Sequence, residues 1–154
     1  MVEAVKNIVN IVLKDSQYLL IDVEIRGEKK NKFVEIFVDS RDKLDLNNLT
    51  DLNRKIWDKI EEAGLNENFS KITVSSPGTD RSFRYIEQLL KHAGREIDIV
   101  LNDGTKISGT LINISEDEGK IYLKLKGRKK ELAESEIKII DFKNIKESKI
   151  KIKF

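Results

Sequence analysis

The stretch VSSPGTDRSF, residues 74–83, contains the only proline of this 154-residue chain and marks a change in sequence character. Pro77 holds its own φ at about −65° and biases Ser76 away from helical geometry. Gly78 can take the positive φ that the third position of a type II turn requires. The chain is therefore predicted to turn sharply at the end of a strand over residues 70–76.

The segment before this turn combines helical and strand periodicity, as a mixed α/β unit does. Apolar residues at steps of three and four predict helices over residues 2–13 and 45–64. Alternating apolar residues predict strands at 18–25 and 33–39, and a third strand ends at the turn. The predicted order is α-β-β-α-β. The helical stripes are Val2, Val5, Val9 and Val12, then Leu49, Leu52, Ile56, Ile60 and Ala63, and the first strand is predicted to place Leu19, Ile21, Val23 and Ile25 on one side.

The segment after the turn has a short helical pattern that ends at Gly94, followed by short alternating runs. Asn102, Asp103 and Gly104 tolerate positive φ and predict a tight hairpin. Gly109 interrupts a strand pattern and is predicted to let that strand bend. Successive short strands of this kind indicate a small barrel or sandwich, so the fold class is α+β. The predicted divisions are an N-terminal α/β domain at 1–82, a linker helix at 83–94 and a C-terminal β domain at 95–154.

The composition excludes several classes of protein. The chain has no cysteine, which rules out disulfides, thiolate zinc sites and thiol nucleophiles and makes a cytoplasmic location the default expectation. No apolar run reaches the roughly 18–20 residues that a membrane span requires. Charged residues make up 36% of the chain, but their formal net charge is only +2. The basic surplus lies in the second half, above all in KIYLKLKGRKK at 120–130.

The residues of the turn leave three interpretations open: a rigid joint, a binding surface or a catalytic loop. A serine nucleophile at Ser75 or Ser76 would need a base, and the only histidine, His92, has no recognisable partner pattern. The sequence contains neither a metal-ligand cluster nor a phosphate-binding glycine loop. We therefore predict a protein that is not an enzyme and uses no metal or cofactor.

Longer stretches around the turn resemble those of the bacterial ribosome maturation factor RimP family, nearly end to end. They are YLLIDVEI with FVEIFVDS, LDLNNLTDLNRKIWDKIEE, ITVSSPGTDRSFR, and AGREIDIVLNDGTKISGTLINI. The most specific piece is VSSPG followed by Asp80 and Arg81. The chain departs from the usual family pattern at Thr73, Thr79 and Ser82, where members mostly have an acidic residue, a leucine and a second proline.

The resemblance implies a non-catalytic, monomeric assembly factor with an α/β domain followed by an SH3-like or Sm-like small barrel. Such proteins bind the immature small (30S) ribosomal subunit and help a ribosomal protein and the adjacent rRNA reach their final arrangement. The matching residues, expected at the domain junction, are Ser75, Ser76, Pro77, Gly78, Asp80 and Arg81. Arg84 is added because helical spacing would place it about one turn from Arg81.

Two charged surfaces extend this prediction. Acidic side chains of the first half, such as Asp22, Glu24 and Glu35, are expected to meet a basic ribosomal protein. The expected contacts to RNA phosphates are Lys124, Lys126, Arg128, Lys129 and Lys130. The alternative is that both surfaces are solvated strand faces. An alternative function is that of an Sm-like regulator that binds single-stranded RNA, since LNDGTKISGTLINISED is similar to the first half of an Sm motif.

Overall fold

A computed structural model of the protein describes residues 1–28, 31–78, 81–125 and 136–151. The chain forms two compact units, Met1–Pro77 and Gly78–Phe154, and each has its own hydrophobic core. Helices and two separate sheets are present, which confirms the α+β class. Within the described ranges, the structure contains no helix with the length and apolar character needed to cross a membrane.

The first unit has the predicted order of elements. They are α1 (Val2–Leu13), β1 (Tyr18–Arg26), β2 (Phe33–Ser40), α2 (Leu46–Glu62), a 3₁₀ helix (Asn66–Asn68) and β3 (Lys71–Ser75). The sheet order is β1-β2-β3, with β1 antiparallel to β2 and β2 parallel to β3. Because parallel neighbours need a long connection, α2 crosses over between β2 and β3. β3 is left as an edge strand.

The core of the first unit forms where both helices pack on the sheet. The predicted stripes supply much of it, because α1 buries Val5 and Val9 together with Leu13, and α2 buries four of its five stripe residues and leaves Ala63 exposed. Sheet residues complete the cluster: Val23, Val34, Ile36, Val38, Ile72 and Val74. Each fully buried aliphatic side chain contributes about 1.5–3 kcal/mol. This cluster holds α2 against β3.

The prediction that Leu19, Ile21, Val23 and Ile25 share one side of β1 is wrong for Leu19 and Ile21. The register with β2 shifts between Leu20 and Asp22, which makes Ile21 the extra residue of a β-bulge. Leu20 packs against the core with Val23, whereas Leu19 and Ile21 are not among the described residues of that cluster. One inserted residue reverses the side to which the alternating residues point, and strict alternation cannot show this.

The second unit is built around one antiparallel sheet. Its elements are a 3₁₀ helix (Ile86–His92), β4 (Glu96–Leu101), β5 (Lys106–Ser115), β6 (Lys120–Leu125), β7 (Ile137–Asp141), a 3₁₀ helix (Phe142–Asn144) and β8 (Ile145–Ile150). The sheet order is β7-β6-β5-β4-β8. No pairing of β7 with β8 occurs among the described residues, so the sheet has two edges there. Its core comprises Leu89, Ile97, Ile99, Leu111, Ile121, Leu123, Ile140 and Ile150.

The helix after the turn begins later than predicted. It is a 3₁₀ helix that starts at Ile86, and the described residues from Arg81 to Tyr85 are not helical. Arg81 and Arg84 therefore do not share a helical face, and the spacing used to add Arg84 does not apply. Leu89 of this helix is fully buried in the core of the second unit. Packing of Leu89 places the helix, because a 3₁₀ segment has little stability of its own.

Glycines decide two features of the second unit. In the hairpin between β4 and β5, Gly104 takes a φ of +91°, and the carboxylate of Asp103 accepts the N–H of Thr105 at 2.9 Å. At Gly109, an added Cβ would lie 2.8 Å from the backbone oxygen of Lys124 on β6. The close approach of β6 therefore requires glycine at this position. The sequence predicted this glycine for a different reason, a bend in the strand.

Candidate binding surface

Ser75 and Ser76 lie where β3 leaves the sheet of the first unit. Ser75 is the last residue of β3, partly buried and paired with Phe37 of β2, and Ser76 is exposed. Gly78 has a φ of +71°, the positive value predicted from the turn pattern. Thr79 and Asp80 lie outside the described residues, so the predicted site residue Asp80 stays a prediction.

A groove of about 720 Å³ runs between α2 and the end of β3. Its lining residues all belong to the first unit and are Leu46, Leu49, Thr50, Asn53, Arg54, Trp57, Val74, Ser75 and Ser76. The amide of Asn53 donates to the backbone oxygen of Ile72 at 3.4 Å, which ties α2 to the edge strand. Two of the predicted site residues therefore form one end of an open groove beside β3, an edge strand of the described sheet.

The chemistry of this groove is that of a contact surface. Leu46 is 80% exposed, and Trp57 is partly buried, packing against the core at the groove. Among the described lining residues, Arg54 is the only ionisable side chain, and its guanidinium lies 3.6 Å from the carboxylate of Asp51 at the surface. None of the lining residues that the structure describes can act as a general base for Ser75, since arginine stays protonated. Exposed apolar residues with a polar rim are typical of a protein-binding site.

The predicted arginines belong to the second unit, in a segment held by backbone hydrogen bonds. The N–H groups of Arg84 and Tyr85 both donate to Oε1 of Gln88, at 2.7 and 2.9 Å. The N–H of Ser148 in β8 donates to the Ser82 hydroxyl at 2.9 Å. The guanidinium of Arg84 lies 5.5 Å from the ring centre of Tyr85. The predicted residues thus fall on two units, and a common surface formed by them stays a prediction.

His92 has a packing role in the second unit. Its ring lies 5.4 Å from that of Phe83, and its Nδ1 lies 3.2 Å from the guanidinium of Arg95. Within the described ranges, no group of three or more histidine, aspartate or glutamate side chains is placed to hold a metal ion.

The predicted acidic surface contains an arginine. Glu24 and Glu35 are direct cross-strand partners on β1 and β2. The guanidinium of Arg26 lies 2.8 Å from Glu24 and 3.5 Å from Glu35, so it reduces the repulsion between the two carboxylates. These ion pairs lie at the surface, with both glutamates partly exposed, and contribute about 0–1 kcal/mol each.

Only one residue of the predicted basic surface, Lys124, lies within the described ranges. Lys124 lies exposed on β6, opposite Thr110 of β5 and Ile137 of β7. Lys126, Arg128, Lys129 and Lys130 lie outside the described residues, and so do Ile152 and Phe154 of the C-terminal tail.

Comparison with known proteins finds one matching family model and a similar relative. The family model of the RimP N-terminal domain matches residues 8–80, which include the groove and the turn. A relative, the ribosome maturation factor RimP of Prosthecochloris aestuarii (strain DSM 271 / SK 413), is 28% identical over 114 residues. The chain is similar to the RimP family over this region.

The match to the P. aestuarii RimP covers 69% of this chain and 64% of the relative's length. A solved structure, titled "Structural basis of the Dcp1:Dcp2 mRNA decapping complex activation by Edc3 and Scd6", aligns with 42% of the chain and 60% of its own. Its sequence identity is 25% and its TM-score is 0.35, too low to inform the fold or function of the chain. The similarity of the chain to a known family therefore rests on the RimP matches.

Sequence reasoning missed the part of the groove that α2 supplies. Leu46, Thr50, Asn53 and Arg54 were not predicted as site residues, although they line the groove with Ser75 and Ser76. The available signal was two apolar residues of α2 outside its buried stripe, Leu46 and Trp57.

Proposed function

We propose that this chain is a ribosome maturation factor that acts in assembly of the small ribosomal subunit. It binds the immature subunit and assists placement of a ribosomal protein on rRNA, and it does so without catalysing a reaction. The observation that carries the proposal is the family match over residues 8–80, since the matched region contains the turn and the whole groove.

The groove is the proposed contact for the ribosomal protein. It offers an exposed leucine, a tryptophan and the edge strand β3, which suit an extended segment of a partner chain. A basic partner is also compatible with Glu24 and Glu35 on the same unit. Ser75 to Gly78, Asp80, Arg81 and Arg84 remain proposed binding residues at the junction of the domains.

The second unit is proposed to be an SH3-like or Sm-like small barrel. Its strand order supports this, because the first strand, β4, lies between the second and the last, β5 and β8. The proposal keeps the predicted divisions at 1–82, 83–94 and 95–154. It assigns rRNA contact to the second unit, whose sequence carries the basic surplus, and it includes a cytoplasmic, monomeric protein.

Sedimentation of a cell extract tests the proposal. The protein should travel with free small subunits and be depleted from full ribosomes and polysomes, and a deletion strain should accumulate immature small subunits. Normal subunit assembly in the deletion strain would contradict the proposal. A ring-shaped oligomer in light scattering would instead favour the alternative of an Sm-like regulator.

A substitution at the groove tests the contact itself. Leu46→Asp places a charge at a residue that is 80% exposed, so the fold should persist while affinity for immature small subunits falls by about 5- to 30-fold. Ile11→Asp is the matched control, since Ile11 of α1 is 65% exposed and lies away from the groove. Equal binding by the two variants would exclude the groove as the docking site.

A further inference from the structure

The outer face of β6 presents an aromatic ring between two lysines. Lys120, Tyr122 and Lys124 alternate with Ile121 and Leu123, which are fully buried in the core of the second unit. Alternate residues of a strand point to the same side and lie about 7 Å apart. The three polar-ended side chains therefore line the solvent side of the sheet.

We propose that this outer face binds single-stranded RNA, with a base stacked on Tyr122 and phosphates contacted by Lys120 and Lys124. The inference rests on the proposed function, because it names the surface through which the second unit would meet rRNA. Aromatic rings and basic side chains along one groove are the combination that proteins use for single-stranded nucleic acids.

Several apolar side chains lie around Tyr122 on this outer face, which we call the platform. Tyr122 lies between Asn113 of β5 and Ile139 of β7 in the strand register. Ile139 is 53% exposed, and Ile137, two residues before it on β7, is 58% exposed. Ile112, the extra residue of the β5 bulge, is 40% exposed. Exposed apolar residues grouped on one sheet face are uncommon unless they contact a ligand or partner.

The charges of the platform favour an anionic ligand. Within the part of the chain that the structure describes, neither Lys120 nor Lys124 makes an ion pair, and the hydroxyl of Tyr122 has no hydrogen-bond partner. The strand register places the acidic residue Asp141 of β7 directly opposite Lys120. Binding of phosphates would release counterions from RNA and gain affinity, whereas an apolar protein strand would leave both ammonium groups unpaired.

The competing ligand is a protein segment, because β7 is an edge strand of the described sheet. A protein segment could add to that edge as a further strand and cover Ile137 and Ile139. The charge of Lys120 and Lys124, and the ring of Tyr122 between them, favour RNA. Binding measurements separate the two occupants.

The test measures binding of the purified full chain to a fluorescein-labelled single-stranded RNA 12-mer by fluorescence anisotropy. Tyr122→Ala should weaken binding by about 5- to 150-fold, the range for loss of one stacked base, and Tyr122→Phe should retain it. Lys120→Gln with Lys124→Gln should reduce the slope of log affinity against log salt by about 1.4. Lys106→Gln with Lys146→Gln is the control of equal charge change and should preserve the slope.

Three results would contradict the proposed RNA-binding face. Tyr122→Ala could bind RNA as tightly as Tyr122→Phe, or the salt slope could be unchanged in the lysine variant. The third is that duplex RNA binds as tightly as the single strand. Binding of an extended acidic peptide at β7 without any binding of RNA would assign the face to a protein. Thermal unfolding of each variant checks that the fold is intact. If Tyr122→Ala binds RNA normally while the protein still travels with small subunits, the platform fails and the proposed function stands.

Discussion

Gln88 shows how one buried polar side chain shapes the segment that follows the turn. It is 1% exposed, and its Oε1 accepts two backbone N–H groups, those of Arg84 and Tyr85. These donors lie in a non-helical stretch, so no helical partner is available to them. Gln88 thus fixes the backbone from which the Arg84 side chain extends.

Substitution of Gln88 should therefore cost stability. Gln88→Met keeps a similar length but removes the acceptor, and we expect a loss of about 1–3 kcal/mol in the free energy of unfolding for each N–H left without a partner. Chemical denaturation monitored by circular dichroism measures it. Glu87→Met, at the adjacent partly buried position, is the control and should change stability by much less. Equal losses in both variants would show that the hydrogen bonds of Gln88 do not hold the segment.

At the scale of elements, α2 is the helix that positions the groove. Its N-terminus is capped by Asp45, whose carboxylate accepts the N–H of Asn47 at 2.9 Å, and Gly64 follows its end with a φ of +72°. The buried stripe packs on the sheet and leaves Leu46 and Trp57 at the groove. The apolar spacing predicted this helix at 45–64, close to its observed bounds, and four of the five predicted stripe residues are buried.

Loss of the cap should destabilise α2 and the groove together. We expect Asp45→Ala to lower the stability of the first unit by about 0.5–2 kcal/mol, because an N-terminal N–H loses its acceptor. Amide hydrogen exchange should show the loss in the first turn of α2. Asp51→Ala removes an exposed carboxylate from the same helix and serves as the comparison. If Asp51→Ala increases exchange as much as Asp45→Ala does, the effect is not one of capping.

At the scale of the whole molecule, the chain has two cores, and they share no buried residue within the ranges that the structure describes. The first is formed by two helices on a mixed sheet, and the second by an antiparallel sheet with Leu89 of a 3₁₀ helix. Since burial of apolar surface is the main driving force of folding, each unit holds its own source of stability.

A core substitution should accordingly act on one unit. Ile56→Ala in the first core is expected to reduce the stability of that unit by about 2–5 kcal/mol, while amide protection of β4 to β6 stays at the wild-type level. Ile121→Ala provides the reciprocal test in the second core. NMR-detected hydrogen exchange resolves the two units. Simultaneous loss of protection in both units with either variant would show that they unfold as one.

Local patterns determined much of this protein from the sequence alone. The stripes of α1 and α2, the positive φ of Gly78 and the strands of the second unit depend on neighbours within a few residues, so periodicity and turn chemistry predicted them. The RimP resemblance was carried by VSSPG and the stretches around it, and the matches to the family confirm it. The assembly function and the site residues that go with it remain proposals.

Only the tertiary structure decided which distant residues meet. The bulge at Ile21 depends on pairing with β2, the late start of the helix at Ile86 on burial of Leu89, and the need for glycine at residue 109 on the approach of β6. The groove joins Leu46 and Trp57 to Ser75 across a crossover connection. Contacts between residues far apart in the chain form when whole elements pack, and no local periodicity records which elements those are.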